Sequence, residues 1–376
     1  PIAGFLHILI YVGFVLINVE VIEIVVDGVF GTHRFLSFLG GFYNFMIGFF
    51  EVLAFGVVVA CVVFLARRFV TKVPRLQMNE LKGWPMKDAT IILVVEIVLM
   101  GALLMMNAAE QVLVNKELME GHGSFPVSQY LVGFFSGFSD GSVHMIERLC
   151  WWFHFVGIVV FLNYVPYSKH WHIIMSFPNV YYTPLKPKGS FENLDYVTTE
   201  VKLMMDPAAQ PPDGYEPPAG FGAKDVQDLT WKNLMDAYTC TECGRCSSVC
   251  PANQTGKLLS PRKVMMDTRD RLEEVGRGID AAKKAGTPVE GRFEDGKDLH
   301  SYVSAEELWA CTTCNACAEA CPVNINPVDI IVQMRQYQVM EKSAAPSELN
   351  NMFTNLENNG APWQFNQMDK ANWTQG

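Results

Sequence analysis

The sequence has little charge, and the charge it has is mostly acidic. Only 18% of its 376 residues are charged, and 29 Lys and Arg stand against 39 Asp and Glu. A nucleic-acid partner is excluded, because neutralising phosphates requires a basic surface. Motifs for a catalytic nucleophile, a phosphate-binding glycine loop and a flavin site are also absent from this sequence. The chemistry of a substrate is therefore expected to lie elsewhere.

Scattered cysteines are also absent, since eight of the ten cysteines fall in two short clusters. A secreted disulfide scaffold would spread its cysteines along the chain, so that class is excluded. The charge is uneven as well. Residues 1–176 hold 10 Lys and Arg and 12 Asp and Glu, whereas the remaining 200 residues hold 19 and 27. This contrast predicts a membrane domain, 1–176, followed by a soluble region.

Four apolar runs each approach the roughly 20 residues that a helix needs to cross a bilayer. A buried bundle in a large soluble protein is the alternative, but four successive runs of this length favour spanning helices. The predicted spans are residues 4–27, 43–66, 89–113 and 147–175.

Orientation is predicted from the basic residues of the loops, because short cytoplasmic loops are enriched in Lys and Arg. The loops after the first and third spans hold only Arg34 and Lys116. We expect a multi-pass protein of the inner (cytoplasmic) membrane, with everything after the fourth span in the cytoplasm and the aromatic segment 125–141 outside. The loop after the second span holds Arg67, Arg68, Lys72, Arg75, Lys82 and Lys87.

Two cysteine motifs carry the strongest chemical signal, and both fit the C-x₂-C-x₂-C-x₃-C-P pattern of ferredoxins with two [4Fe–4S] clusters. In that pattern the fourth cysteine ligates the other cluster. Zinc is the alternative, because C-x₂-C pairs also form Cys₄ zinc sites. The predicted ligand sets are Cys240, Cys243, Cys246 and Cys321 for the first cluster and Cys311, Cys314, Cys317 and Cys250 for the second.

The two motifs are separated by 60 residues that look largely helical, over Pro261–Glu274 and Asp280–Ala285. We therefore predict a mainly α protein, in which a transmembrane four-helix haem-binding bundle is followed by an α-helical ferredoxin-type domain. A Pro-rich linker over 177–230 joins them, the ferredoxin domain covers 231–345, and a tail covers 346–376. Cys61 and Cys150 lie within apolar spans and are interpreted as packing residues.

Histidines in the membrane region suggest b-type haem, which needs two facing histidines at one depth. His7 and His172 both lie near the predicted inner surface. His154 precedes His172 by 18 residues, about 27 Å along a straight helix, so one helix could serve two haems. His33 is the nearest candidate for the outer haem partner of His154, and His144 is another. Arg34 could contact a propionate of that haem. An interfacial or snorkelling role is the alternative for each histidine.

Four carboxylates also lie within the predicted spans, where ionisable groups are costly and often functional. They are candidates for a proton path to a quinone; the alternative is pairing with arginine, with Asn18 or with water in the bundle. These residues are Glu20, Glu23, Glu51 and Glu96.

The stretch from His154 to His172, with Pro166-Tyr-Ser-Lys169 between them, resembles the last span of the respiratory nitrate reductase gamma subunit. In that family two histidines at this spacing bind two b-haems. The resemblance implies that His7 ligates the inner haem. The family helix carries another histidine ten residues after that position, where this sequence has Ile17, so the outer haem would use His33 or be absent.

The soluble half, from Cys240 through Cys321-Pro-Val, is similar to heterodisulfide-reductase-like iron–sulfur oxidoreductases. Its tail, Asn355 to Trp363, resembles the stretch that precedes cysteine-rich CCG domains in that family. The resemblance implies such a domain on a longer chain or on another subunit. The fused order resembles membrane-bound oxidoreductases that link electron-transfer flavoproteins to menaquinone.

These resemblances imply a respiratory electron-transfer protein with two [4Fe–4S] clusters and one or two b-type haems. Its expected partners are the membrane, menaquinone or ubiquinone, and a cytoplasmic flavoprotein or CCG-domain subunit. Two alternatives stay open: a quinol-linked heterodisulfide or thiol-disulfide reductase subunit, and a membrane anchor of a larger redox complex without its own quinone turnover.

Overall fold

The computed structural model describes residues 2–187, 190–191, 194–218 and 220–375. The chain divides into two compact units, Pro1–Trp171 (unit 1) and His172–Gly376 (unit 2). Across the described residues the regular structure consists of α-helices and short 3₁₀ turns. The predicted mainly α class, with four long apolar helices followed by a helical region, is confirmed.

Unit 1 is built from four long helices: α1 (Ile2–Phe30), α2 (Gly41–Phe69), α3 (Trp84–Asn115) and α4 (Asp140–Tyr164). All four are long and apolar enough to cross a membrane, the last including the turn that follows it. Their inward faces form a shared core that contains Ile17, Val57 and Leu103. Their outward faces expose large apolar side chains such as Phe5 and Val160. Apolar surface all round is what a helix in lipid requires.

Helices α1 and α2 approach each other closely at two glycines. A Cβ atom at Gly13 would lie 2.8 Å from Cγ2 of Val57, and one at Gly56 would lie 2.8 Å from Cδ2 of Leu9. Small residues at such crossings let helix backbones approach within the membrane, where tight packing drives association.

The expected straight helix from His154 to His172 is wrong. Helix α4 ends at Tyr164, and two 3₁₀ turns, Val165–Tyr167 and Lys169–Trp171, follow it. Pro166 lacks a backbone N–H, and its ring clashes with the preceding turn, which favours the end of the helix here. Asp88 on α3 holds this break in place, because its carboxylate accepts a hydrogen bond of 3.0 Å from the backbone N–H of Lys169.

Unit 2 contains ten helices among its described residues. The region predicted as a linker, 177–230, includes one of them and also supplies Ala223, Val226 and Leu229 to the core of the unit. The two helices predicted over Pro261–Glu274 and Asp280–Ala285 form one continuous helix, Pro261–Lys284. The helices are α5 (His172–Tyr181), α6 (Asp195–Met205), α7 (Trp231–Thr239), α8 (Arg245–Val249), α9 (Pro251–Gln254), α10 (Pro261–Lys284), α11 (Ala305–Ala310), α12 (Ala316–Glu319), α13 (Pro327–Met340) and α14 (Ser347–Asn359).

Candidate metal centres and a buried polar network

Each cysteine motif begins where a capped helix ends. Thr230 caps α7, whose last residue precedes Cys240, and Ser304 caps α11, whose last residue precedes Cys311. In both cases the cap hydroxyl accepts a hydrogen bond from the third residue of the helix, which fixes where the helix starts. The two motifs therefore leave equivalent helices at equivalent points.

The backbone then makes the same turn in both motifs. Glu242 and Thr313 both have φ of +55°, and two residues later Gly244 and Asn315 have φ of +72° and +57°. These left-handed conformations reverse the chain after the second cysteine of each motif, and a short helix carrying the third cysteine follows. The repeat seen in the sequence is therefore a structural repeat.

The first predicted ligand set lies around one cavity. Cys240, Cys243 and Cys246 from the first motif line it together with Cys317 and Cys321 from the second, and its empty space, including the part open to solvent, is about 400 Å³. The fourth cysteine of the second motif thus lies beside the first three of the other, and Cys317 of the second predicted set adjoins the same cavity. Arg262, whose side chain is fully buried, lines the same cavity.

The thiols of the second predicted set also lie near one another, because neighbouring thiols of the set raise the pKa values of Cys311 and Cys317. Burial raises the pKa of Cys311, and the neighbouring thiols of Cys250 and Cys314 raise it further. Burial, together with Cys246, Cys311 and Cys250, raises the pKa of Cys317 to about 12. Cys314 is exposed, whereas Cys250 and Cys317 are buried. Of the two sets, it is the second that includes an exposed cysteine.

The residues present fit two iron–sulfur clusters. An arginine stands at each set: Arg262 donates to the backbone carbonyl of Glu242 at 3.3 Å, and Arg335 to that of Cys311 at 2.6 Å. Cationic groups at these two positions partly neutralise the negative charge of clusters that are bound by thiolates. Within the described residues, no three His, Cys, Asp or Glu side chains meet closely enough to hold a single metal ion. A cubane cluster has no such requirement, because each thiolate binds a different iron.

Helix α5 packs against the segments that carry the first set. The hydroxyl of Thr239, next to Cys240, donates to the carbonyl of Met235 at 2.8 Å and also lies 3.4 Å from the carbonyl oxygen of Met175 on α5. Asn179, also on α5, donates to the carbonyl of Val323 at 2.9 Å. Both segments bearing ligands of the first set are thereby tied to the helix that opens unit 2.

In unit 1, a buried polar network is centred on Arg34. Its side chain is almost fully buried and donates to Glu20 at 3.2 Å, to Glu110 at 2.6 Å and to Asn107 at 3.0 Å. Asn107 in turn donates to Glu51 at 3.3 Å. Helices α1, α2 and α3 therefore meet through one chain of hydrogen bonds.

The remaining carboxylate candidates differ in their surroundings. Glu51 also accepts hydrogen bonds from the backbone N–H groups of Val127 and Ser128, at 2.8 and 3.2 Å. Glu23 accepts from the Tyr43 hydroxyl at 2.9 Å. Glu96 is buried on α3 outside these contacts.

Sequence reasoning missed Asn107, Glu110 and Glu147, which are all buried polar residues of unit 1. Glu110 lies on α3 within the third apolar run, where its charge was itself a usable signal. Its partner Arg34 lies 76 residues away in the chain. No local pattern links residues so far apart.

The haem candidates lie in different surroundings. His154 is buried on α4, with Nδ1 2.9 Å from the carbonyl oxygen of Leu99. Nε2 of His33 lies 3.7 Å from the carboxylate of Glu110, and that imidazole is 37% exposed. His7 belongs to α1 in unit 1, whereas His172 is the first residue of α5 in unit 2.

Part of the chain matches a known protein family. Residues 239–325 match the 4Fe-4S dicluster domain. This favours iron–sulfur clusters over the zinc alternative, because the matched segment contains all eight clustered cysteines. No solved structure matches the chain.

Relatives that align over nearly the whole chain are iron–sulfur or quinone oxidoreductases by name. The chain is 28% identical to the probable iron-sulfur-binding oxidoreductase FadF of Bacillus subtilis, over 99% of this chain and 52% of that protein. It is 29% identical to the EtfAB:quinone oxidoreductase of Syntrophomonas wolfei, over 99% and 51%. The chain thus spans about half the length of these relatives. A shorter segment is 30% identical to a dihydromethanophenazine:CoB--CoM heterodisulfide reductase subunit of Methanosarcina mazei, over 40% of this chain and 35% of that protein.

Proposed function

We propose that this chain carries electrons between a soluble redox partner and a quinone in the membrane, through two [4Fe–4S] clusters and b-type haem. The observation that carries the proposal is the gathering of cysteines from both motifs, Cys240, Cys243, Cys246, Cys317 and Cys321, at one cavity, in a chain that also has four helices of membrane-spanning length. We propose that the fourth cysteine of each motif ligates the cluster of the other.

The clusters supply one-electron redox chemistry, and the protein sets their spacing and potentials. In the proposal, the second set, with the exposed Cys314, exchanges electrons with the soluble partner. The first set lies against α5, the helix that follows the last membrane helix in sequence. Electrons would therefore pass from the second set to the first and then toward unit 1, with the soluble region in the cytoplasm.

His154 has the chemistry of a haem ligand. When Nδ1 donates to the carbonyl of Leu99, the tautomer is fixed and the lone pair of Nε2 is left free for a metal. The proposal keeps His7 and His172 as the inner haem pair and His33 as the candidate partner of His154. One or two haems per chain would follow.

Reduction of a quinone consumes protons, and the Arg34 network offers groups that can hold them. Glu20, Glu110 and Glu51 share their hydrogen bonds through Arg34 and Asn107. We propose that these side chains pass protons near the quinone, with Glu23 adjacent and Glu96 as a separate candidate. The bonds also give Glu20, Glu51 and Glu110 buried partners, which an ionised group within a membrane helix needs.

A test uses the purified full chain in lipid nanodiscs under anaerobic conditions. We expect about eight cluster irons per chain, a reduced b-type α-band, and reoxidation of the dithionite-reduced protein by a menaquinone analogue. A Cys243→Ser variant is the matched control, with reoxidation slowed and the first cluster lost. Zinc in place of iron, or reoxidation no faster than in the variant, would overturn the proposal.

A second candidate is a component of a quinol-linked thiol-disulfide reductase, favoured by the similarity to the heterodisulfide reductase of Methanosarcina mazei. It requires a disulfide-reducing module, on a longer chain or on a partner. Reduction of a heterodisulfide by quinol in the intact assembly would support it, whereas oxidation of a reduced flavoprotein would support the first candidate. A membrane anchor without quinone turnover predicts clusters but no quinone-dependent reoxidation.

A further inference from the structure

The two cysteine motifs make the same turn with different residues at its centre. Gly244 follows the second cysteine of the first motif, and Asn315 follows the second cysteine of the other; both adopt positive φ. Glycine takes this conformation freely, and asparagine is among the few other residues that tolerate it. The second motif therefore carries a side-chain amide at a position where the first has none.

The side-chain oxygen of Asn315 is buried without a hydrogen-bond partner among the described residues. The residue is only 7% exposed, and within the described part of the chain its Oδ1 has no hydrogen-bond partner. Asn315 stands at the N-cap of α12 but makes no side-chain capping bond. Asparagine at an N-cap ordinarily accepts such a bond, and buried polar atoms are almost always paired. The described residues therefore provide no hydrogen-bond partner for the side-chain oxygen of Asn315.

The residues that flank Asn315 in the sequence indicate a role for its side chain. Asn315 lies between Cys314 and Cys317, two predicted ligands of the second cluster. Sulfur bound to iron accepts hydrogen bonds and repels a carbonyl oxygen. A half-turn of the amide exchanges its oxygen for an NH₂ group with two donors, and the two orientations have nearly the same shape.

We propose that Asn315 donates a hydrogen bond to a sulfur of the second cluster and raises its reduction potential above the value it would otherwise have. Hydrogen bonds to cluster sulfurs favour the reduced, more negative state and so shift the potential upward. This inference rests on the proposed function, since it assumes a [4Fe–4S] cluster at the second set. In this proposal Asn315 contacts the cluster directly, and its role is to tune the reduction potential.

The test is a redox titration of the full-length holoprotein, followed by electron paramagnetic resonance so that both clusters are monitored. Asn315→Gly places in the second motif the glycine that the first motif has, and glycine tolerates the positive φ. Asn315→Asp keeps the side-chain shape but replaces the donor with an acceptor. Both variants should lower the potential of the second cluster and leave the first unchanged. Ser343→Gly is the control, because Ser343 also has positive φ but is exposed and lies outside both motifs; it should change neither potential.

Iron content separates the possible failures. If the unaltered protein lacks its clusters, the proposed function fails and this inference fails with it. If all proteins hold their irons and the second potential is the same in both Asn315 variants as in the unaltered chain, only this inference is overturned. Loss of the second cluster in both variants would give Asn315 a purely structural role and would also overturn it.

Discussion

Nδ2 of Asn179 donates a hydrogen bond of 2.9 Å to the carbonyl oxygen of Val323, two residues beyond Cys321. The same side chain accepts a hydrogen bond of 3.1 Å from Nζ of Lys232, which also binds the carboxylate of Asp236. Asn179 is fully buried. One amide on α5 therefore joins α7 to the segment that carries a ligand from the second motif.

Asn179→Ala should weaken unit 2, because it leaves the carbonyl of Val323 without its partner and removes one of the two groups that bind the ammonium of Lys232. We expect a loss of about 1–3 kcal/mol in the free energy of unfolding. Chelators should also remove iron from the first cluster faster than from the second. Asn358→Ala on the exposed face of α14 is the control and should change neither quantity. Equal rates of iron loss from both clusters would contradict the tie between α5 and the first set.

Cys321→Ser and Cys250→Ser test the exchange of the fourth cysteine. Cys321→Ser should disrupt the cluster held by Cys240, Cys243 and Cys246, and Cys250→Ser the cluster of the second motif. Paramagnetic resonance of the reduced proteins identifies the surviving cluster, because its signal should equal that of the same cluster in the unaltered chain. Ligand sets confined to one motif each predict the reverse outcome.

Arg34→Gln should destabilise unit 1, because it leaves Glu20 and Glu110 buried without their cation. Breaking a buried ion pair from one side costs about 3–5 kcal/mol, which thermal unfolding in detergent would detect. Lys116→Gln is the control, since Lys116 and its partner Asp140 are both largely exposed, at 45% and 57%, and its loss should cost much less. Adding Glu110→Gln to Arg34→Gln should recover part of the loss. No recovery in the double variant would argue against direct coupling between the two residues.

His154→Leu should lower the haem content, because it removes the imidazole whose orientation Leu99 sets. The reduced α-band per chain should fall by half if two haems are bound, or vanish if His154 holds the only one. His122→Leu, in a loop of unit 1 outside the four long helices, is the control and should leave the spectrum unchanged. An unaltered spectrum in His154→Leu would remove His154 from the haem ligands.

The elements that follow from local composition could be predicted from sequence. Uninterrupted apolar runs gave helices within a few residues of the predicted limits, as for α2 over Gly41–Phe69. The spacing of Cys240 to Cys250 indicated an iron–sulfur motif, and the dicluster family match supports it. The ligand sets, the haem histidines and the orientation stay predictions.

The end of the fourth span was predicted wrongly because hydropathy is averaged over many residues, whereas a helix can end at one. Hydropathy averaged over a span is insensitive to one residue, whereas Pro166 removes a backbone donor and ends the helix locally. The separation of His154 and His172 in the sequence therefore does not convert into a distance along one helix axis.

The sequence by itself determined that the chain is mainly helical, which four runs are apolar enough for a membrane, and where eight thiols stand in two repeated motifs. These properties depend on residues a few positions apart, and short-range physics governs them. Tertiary structure alone decided that Cys321 joins the first cavity, that Asn179 ties α5 to Val323, and that Arg34 gathers Glu20, Glu110 and Asn107. Those partners lie far apart in the chain, so only packing of complete helices brings them within hydrogen-bonding distance.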